Sequence, residues 1–193
     1  MGLETDAVNP VQLIEPRRFG DARGWFTETY NEAAFHARGI PSRFVQDNHS
    51  LSVSAFTLRG LHFQSPPDAQ DKLVRCIRGR IYDVAVDVRR GSPSYGQWVA
   101  AELSAENGHQ LFIPVGFAHA FLTLEPNCEV VYKCSALYAP ASDGGIRWDS
   151  AGIDWPLPAG TAPELSDKDK VLPSLDDFES PFAYDGRPLL PLS

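Results

Sequence analysis

The chain has 193 residues, of which 43% are hydrophobic; 25 are Asp or Glu and 17 are Lys or Arg, which gives a formal net charge of −8. A chain of this size buries one sizeable core, so we expect a single domain over residues 1–193. The acidic excess argues against nucleic acid as the main partner, because binding a phosphate backbone needs a basic face. A site for an anion must therefore be built locally, from small groups of basic residues.

The first residues, MGLETDAVNP, lack a basic, apolar signal segment and also the Ser or Thr at position six that a myristoylation signal needs. No apolar run is long enough to span a bilayer. Cys76, Cys128 and Cys134 form no CxxC pair and have apolar neighbours, which indicates buried, reduced thiols rather than a metal or redox site. We therefore expect a cytoplasmic protein that does not contact membranes.

Short apolar or alternating runs, separated by clusters of Gly, Pro, Asn and Asp, predict β-strands along most of the chain. In chain order the runs are VQLIEP, GWFTETY, SAFTLRGLHF, KLVRCIRG, RIYDVAVDV, QWVAAEL, QLFIP, HAFLTL and EVVYKCSALY. Only NEAAFHARG resembles a helix, with Gly39 at its end, and the tail from Pro156 onward reads as loops with one short helix. This pattern is typical of a β-sandwich or barrel.

Side-chain alternation predicts which residues share the interior of such a barrel. Phe117, His119 and Phe121 share one strand face, and Val130 and Tyr132 share another. A His and a Tyr among apolar neighbours would lie in a barrel mouth, where a few polar groups among aromatic side chains form a ligand pocket. Taken singly, each is more often a core residue whose polar tip has a hydrogen-bond partner.

The stretch LRGLHFQSPPDAQDKLV is the strongest indication of a site, because it places Arg59, His62, Gln64 and Lys72 in an otherwise apolar sequence. The Arg59 guanidinium suits phosphate or carboxylate, His62 can move a proton near neutral pH, and Lys72 can stabilise a developing oxyanion. The alternative is a solvated strand end followed by a turn at SPPDAQ.

Strand parity conflicts with a shared site, because Arg59 and His62 are three residues apart and a regular strand would direct them to opposite faces. A β-bulge at Gly60 would shift the register by one residue and turn both side chains toward one cavity. Regular pairing through Gly60 would contradict this hypothesis.

Together, the motifs of this chain resemble those of the dTDP-4-dehydrorhamnose 3,5-epimerases, in family order and at family spacing. The matching segments are FGDARGWFTETY, FVQDNHSLS, LRGLHFQSPPDAQDKLVR, GRIYDVAVDVRRGSPSYGQW, FIPVGFAHAFLTL, VVYKCSALYAP, GIRW and ELSDKDK. The resemblance implies an all-β, cupin-type jelly roll (a double-stranded β-helix) with a few short helices. It also implies an isomerase that acts, without a cofactor, on a dTDP-4-keto-6-deoxyhexose.

The resemblance implies a role for each matching residue. His62 is similar to the proton acceptor, Asp169 to its carboxylate partner and Tyr132 to the proton donor. Lys72 resembles the group that steadies the enolate oxygen at C4, with His119 nearby. The residues that the resemblance assigns to the nucleotide, the diphosphate or the sugar are Arg23, Phe26, Glu28, Gln46, Asp47, Asn48, Arg59, Tyr138, Asp143 and Lys168. The resemblance also implies a homodimer whose exchanged N-terminal strands complete the sites.

Two departures from the family pattern affect these expectations. Ala120 stands where the family generally has Gly, which would narrow the pocket wall, and Asp143 stands where Glu is usual, which shortens its reach by one methylene. Two alternatives remain open, and a third is disfavoured. A mono-epimerase of a related deoxysugar would use much of the same set, and a non-catalytic cupin would only bind the nucleotide sugar. A metal-dependent cupin oxygenase is disfavoured, because HFQ is not the HxH that such sites use and no metal is implied.

Overall fold

The computed structural model describes residues 9–192 and consists mainly of β-strands. The strands are β1 (Gln12–Ile14), β2 (Arg18–Asp21), β3 (Gly24–Thr27), β4 (Gln46–Ser52), β5 (Leu58–Gln64), β6 (Lys72–Arg78), β7 (Arg80–Asp87), β8 (Trp98–Ser104), β9 (Gln110–Ile113), β10 (Phe117–Thr123), β11 (Cys128–Cys134) and β12 (Asp143–Gly145). The helices are α1 (Glu32–Ala37) and α2 (Asp167–Lys170). The expectation about an N-terminal signal falls largely on residues 1–8, which lie outside the described range. No helix within that range is long and apolar enough to cross a membrane.

Two five-stranded antiparallel sheets form the body of the molecule. The first has the order β1-β9-β6-β11-β4 and the second the order β12-β5-β10-β7-β8, while β2 and β3 form a separate hairpin. Sequential strands alternate between the sheets through much of the chain, which gives a jelly roll. The all-β expectation is confirmed. Three strands, β2, β4 and β12, were not among the predicted runs.

The main core lies between the two sheets. The first sheet contributes Val74, Leu111 and Val130, and the second contributes Phe117 and Phe121. These are the faces that strand alternation predicted for β10 and β11. The interior is therefore lined by every second residue of facing strands, and polar residues at the same parity point into it as well.

A second apolar cluster covers the outer face of the second sheet, where the C-terminal tail packs against it. Ala120 belongs to this cluster, and a Cβ atom added at Gly60 would lie 2.5 Å from the Ala120 Cβ atom. The expectation that Ala120 narrows the pocket wall is therefore wrong. Its parity is opposite to that of His119, so its methyl group points away from the interior.

The two short helices follow the local signals in the sequence. Asn31 caps α1 by accepting a hydrogen bond from the Ala34 amide at 3.1 Å, and Gly39 follows it with a φ of 80°, as predicted. Phe35 anchors this helix on the outer face of the first sheet. In the tail, Ser166 caps α2 and accepts from the Asp169 amide. The α2 helix packs against β5 of the second sheet.

Candidate active site

A cavity of about 460 Å³ opens between the two sheets and is bordered by the tail that carries α2. It is lined by Ser50, Thr57, Leu58, Arg59, His62, Lys72, His119, Phe121, Tyr132, Glu164, Leu165, Ser166, Lys168 and Asp169. This lining contains three Lys or Arg side chains, two histidines and two carboxylates. The pocket is therefore locally basic, although the protein has a net charge of −8. Such a field suits a small anionic ligand.

Strand β5 brings Arg59 and His62 to the same cavity through a register shift. His62 is opposite His119 on β10, whereas Arg59 is opposite Phe121, so two intervening residues on β5 face one on β10. Gly60 lies at this register shift and has a φ of 127°, a conformation that favours glycine. The predicted bulge at Gly60 is confirmed, and it solves the parity problem.

His62 and Asp169 form a close pair, with His62 Nε2 2.5 Å from Asp169 Oδ1. Burial acts to raise the pKa of the Asp169 carboxyl, but hydrogen bonds with His62, Ser166 and the Gly60 amide outweigh it and hold this pKa below its usual value. Asp169 is therefore an ionised acceptor. It holds the imidazole by Nε2 and leaves Nδ1 as the ring nitrogen free to act as a base.

Tyr132 reaches the cavity from the facing sheet. Its strand, β11, belongs to the first sheet, whereas the β5 strand of His62 belongs to the second. Burial raises the pKa of the Tyr132 phenol above its usual value, so its hydroxyl keeps its proton near neutral pH. A ligand in the cavity would thus meet an imidazole from one sheet and a phenol from the other.

Lys72 begins β6 and lies beside the histidine, donating from Nζ to the His62 carbonyl oxygen at 3.4 Å. Burial lowers the pKa of the Lys72 ammonium, which means that its charge is poorly solvated in the free protein. An anionic oxygen that forms near Nζ would relieve this penalty. Lys72 is thereby suited to stabilising an oxyanion.

A second His-Asp pair lies next to the first, with His119 Nε2 2.7 Å from Asp83 Oδ1. His119 is 6% exposed and Asp83 is fully buried. Sequence reasoning did not select Asp83 as a site residue. An acidic residue in the middle of the apolar run RIYDVAVDV, at the parity of Ala85 in the core, is the signal that would have found it.

Arg59 extends along the inner face of β4, where its Nε donates to Ser52 Oγ at 3.2 Å. Between Asn48 and Ser52 on that face lies Ser50, whose Oγ is buried and has no hydrogen-bond partner among residues 9–192. Sequence reasoning missed Ser50 as well. Because Ser50 lines the cavity, its Oγ is positioned to hydrogen-bond a ligand there.

A cluster of polar side chains adjoins the cavity near β12. Lys168 forms an ion pair with Asp143, and Tyr138 Oη lies 3.3 Å from the same carboxylate. Gln46 accepts from the Tyr138 amide at 2.9 Å and donates to Asn48 Oδ1 at 3.0 Å. Five predicted substrate-binding residues thus lie together here, and Asp143 remains long enough to reach Lys168.

The other predicted substrate-binding residues lie outside the cavity in the single chain. Asp47 alternates with Asn48 on β4, so its side chain is on the outer face and pairs with Lys133 at 2.9 Å. Arg23 and Phe26 belong to the hairpin of β2 and β3, whose surface groove is separate from the cavity. Glu28 follows this hairpin and is exposed. Residues 9–192 contain no group of three or more His, Cys, Asp or Glu arranged to hold a metal ion.

Comparisons with known proteins show the family to which the chain is similar. Residues 5–177 match the family model described as dTDP-4-dehydrorhamnose 3,5-epimerase. Over 186 residues the chain is 50% identical to the dTDP-4-dehydrorhamnose 3,5-epimerase of Sinorhizobium fredii, an alignment that covers 95% of this chain and 94% of that protein.

Solved structures show the same similarity. The Bacillus anthracis dTDP-4-dehydrorhamnose 3,5-epimerase with TDP and pyrophosphate bound has a TM-score of 0.83 at 48% identity, covering 89% of this chain and 97% of that one. The Legionella pneumophila dTDP-6-deoxy-D-glucose-3,5-epimerase in complex with dTDP-4-keto-L-rhamnose has a TM-score of 0.86 at 41% identity, covering 92% and 95%. Because the family model spans most of the sequence and half of the residues are shared with a relative of nearly equal length, this chain belongs to the dTDP-4-dehydrorhamnose 3,5-epimerase family of carbohydrate epimerases.

Proposed function

We propose that this protein inverts C3 and C5 of dTDP-4-keto-6-deoxyglucose by removing and returning protons, without a cofactor. The observation that carries the proposal is the pair of His62 and Asp169 on one side of the cavity and Tyr132 on the facing sheet. Inversion needs a proton taken from one face of a carbon and another delivered to the opposite face. A base and an acid on opposite walls meet that requirement.

Deprotonation begins at His62 Nδ1, which takes the hydrogen from a carbon next to the C4 ketone. The electron pair of the broken C–H bond forms the C–C double bond of an enolate, and the C4 oxygen becomes negative. Lys72 donates to this oxygen, while Asp169 stabilises the imidazolium that forms on His62.

Reprotonation completes the inversion from the other side of the ring. The Tyr132 hydroxyl gives its proton to the carbon, the enolate returns to the ketone, and the negative charge lies briefly on the phenolate. Transfer of the His62 proton to the phenolate, through solvent, restores both groups. The same cycle acts at C3 and at C5, because both carbons flank the same carbonyl.

The basic residues at the cavity and its rim bind the nucleotide diphosphate in this proposal. Arg59 supplies a guanidinium fork, and Lys168 exchanges its ion pair with Asp143 for contact with the ligand. Tyr138, which is 58% exposed, offers a face for the thymine ring. Gln46 and Asn48 supply the amide groups that recognise the base.

We also propose a homodimer in which the hairpin of one chain completes the cavity of the other. Trp25 and Phe26 on the hairpin are 59% and 70% exposed, which is unusual for large apolar side chains unless a partner covers them. Arg23 and Glu28 would enter the partner's site with them. The free, buried cysteines favour the cytoplasm as the compartment.

One experiment tests the reaction. The protein is incubated with dTDP-4-keto-6-deoxyglucose in heavy water without added metal, and deuterium at C3 and C5 is followed by NMR. Label at both carbons with a rhamno-configured product is the expected result. Label at one carbon only would identify a mono-epimerase, and binding without any label would identify a non-catalytic sugar-binding cupin.

A further inference from the structure

Two His-Asp pairs of similar geometry lie side by side in this molecule, and their carboxylates differ in environment. His62 and His119 are directly opposite each other in the ladder between β5 and β10. Each histidine uses Nε2 to contact its aspartate, at 2.5 Å for Asp169 and 2.7 Å for Asp83. In both rings Nδ1 is therefore the nitrogen left for a ligand.

The Asp169 carboxylate is well supplied with hydrogen bonds, from His62, Ser166 and the Gly60 amide. The Asp83 carboxyl has only His119 as a partner, and its Oδ2 is buried without a hydrogen bond among the described residues. An anionic oxygen without a donor is costly in an apolar interior, whereas the carbonyl oxygen of a protonated acid is less so. The geometry around Asp83 therefore favours the protonated acid.

The surroundings of the second pair support this difference. Both residues are buried. Lys72, which faces them from β6, acts to lower the pKa of Asp83, but burial outweighs this effect. Burial raises the pKa of Asp83 and lowers the pKa of His119. Each partner shifts the other's pKa in the opposite direction, but burial outweighs that shift. Burial thus disfavours a separated ion pair here, while hydrogen bonding holds the pKa of Asp169 low. When the surroundings of two neighbouring titratable groups push their pKa values apart, one group commonly serves as an acid and the other as a base.

We infer that Asp83 is a positioning residue that keeps its proton and donates it to His119 Nε2, so that His119 is the neutral Nδ1–H tautomer and donates to the substrate oxygen at C4. This inference rests on the proposed function and extends it. The two pairs then differ in one proton: His62 presents a bare Nδ1 as the base, and His119 presents Nδ1–H as a donor.

A neutral donor suits this position better than a charged one. A permanent imidazolium opposite His62 would lower the basicity of the catalytic imidazole across the ladder. A neutral His119 avoids that repulsion and still contributes a hydrogen bond to the developing enolate, beside the charge of Lys72. No proton leaves His119 during the cycle.

The tautomer can be measured directly by NMR in the ligand-free protein. Long-range correlation spectra of protein labelled with ¹⁵N-histidine distinguish Nδ1–H from Nε2–H rings, and a His119→Gln variant assigns the signals. The expected result near pH 7 is Nδ1–H for His119. An Nε2–H or doubly protonated His119 overturns the inference.

Substitutions of Asp83 give the second test. The Asn amide can donate to Nε2 as a protonated acid does, so Asp83→Asn should keep the Nδ1–H tautomer and deuterium exchange within about threefold of wild type. Asp83→Ala removes the donor and should slow exchange at both carbons by about 10²-fold, with little change in dTDP binding. Loss of exchange in Asp83→Asn to the level of Asp83→Ala would contradict the inference.

Failure of the inference and failure of the proposed function are distinguishable. If wild-type protein exchanges no deuterium, the proposed reaction is wrong, while the tautomer of His119 is still readable. If wild type exchanges but His119 is the Nε2–H tautomer, only the role of Asp83 is wrong. If Asp83→Ala does not fold, deuterium exchange in Asp83→Asn and the wild-type NMR spectrum still test the role of Asp83.

Discussion

His62 is the residue on which every proposed proton transfer depends. We expect His62→Ala to reduce deuterium exchange at both C3 and C5 by at least about 10²-fold, because His62 pairs its Nε2 with the ionised Asp169 and leaves Nδ1 free as the base. The measurement is the heavy-water NMR assay. His36→Ala is the matched control, since His36 is exposed on α1. Undiminished exchange in His62→Ala would rule out the mechanism.

Tyr132 differs from His62 because it acts after the first C–H bond has broken. In Tyr132→Phe the ring still packs in the cavity, but the hydroxyl is gone. Enolate formation by His62 continues, so some label should still wash in, while formation of the inverted product falls by about 10²-fold or more. Comparing label with configuration in one NMR sample separates the two effects.

The control for Tyr132→Phe is Tyr95→Phe, because the Tyr95 ring is partly exposed and outside the cavity. Its exchange and inversion should equal those of wild type. If Tyr132→Phe inverts the sugar at the wild-type rate, the proton donor is another group.

Among the elements, β5 depends most on one glycine. A Cβ atom at Gly60 would lie 2.5 Å from the His119 carbonyl oxygen and 2.5 Å from the Ala120 Cβ atom, and the φ of 127° is unfavourable for other residues. We expect Gly60→Ala to destabilise the fold by about 2–4 kcal/mol in urea unfolding and to displace His62. Gly20→Ala, whose added Cβ atom would come no closer than 3.7 Å to a neighbour, should cost less than about 1 kcal/mol.

Adding Ala120→Gly to Gly60→Ala tests the origin of the strain. It removes the contact with the Ala120 methyl group but leaves the backbone contact with His119. The double variant should therefore recover only part of the lost stability. Full recovery would mean that neither the φ at Gly60 nor the backbone contact with His119 is restrictive.

Predictability from the sequence differs from element to element, for physical reasons. Strands that are buried on both faces carry apolar residues at most positions, which identifies them, as in β7 and β10. The inner face of β4 carries Gln46, Asn48, Ser50 and Ser52 because it lines the cavity, so the strand lacks the usual signal. Strand β12 is only Asp-Gly-Gly, which reads as a turn.

The same contrast holds for the site. Arg59, His62 and Lys72 are close in sequence, and parity together with Gly60 was enough to propose a shared cavity. The partner of His62 lies 107 residues away on the tail, and no local pattern links the two. Only the family resemblance supplied Asp169. Ser50 was missed because its burial and its lack of a hydrogen-bond partner among residues 9–192 are properties of the folded chain. Asp83 was missed although the sequence carries a signal for it, an acidic residue within the apolar run of β7.

Arg89 links the second sheet to the C-terminal tail. It is 2% exposed, donates to Asp87 Oδ2 at 2.7 Å and to Asp185 Oδ1 at 2.7 Å. Arg89→Met would leave the fully buried Asp87 without its cation, so we expect a loss of about 3–5 kcal/mol in urea unfolding. Arg187→Met breaks a pair with Asp185 that is half exposed and should cost about 0–1 kcal/mol. Equal losses of unfolding free energy in the two variants would contradict the idea that burial makes the Arg89 ion pairs more important for stability.

For the whole molecule, the central prediction is that each active site is shared between two chains. A cavity that uses its own His62 and the partner's Arg23 is inactive in a His62→Ala dimer and weakened in an Arg23→Ala dimer. A heterodimer of these two variants has one cavity with both defects and one with neither. Since one of two sites is complete, it should show about half the wild-type activity.

The experiment coexpresses the two variants with different affinity tags, purifies the heterodimer through both tags and measures epimerisation at a substrate concentration where Arg23→Ala is clearly impaired. Parent homodimers carrying the same tags are the controls, and sedimentation velocity establishes the dimer. If Arg23 served its own chain, one cavity would lack His62 and the other would lack Arg23. Activity in the heterodimer no greater than the mean of the two parents would therefore contradict the shared site.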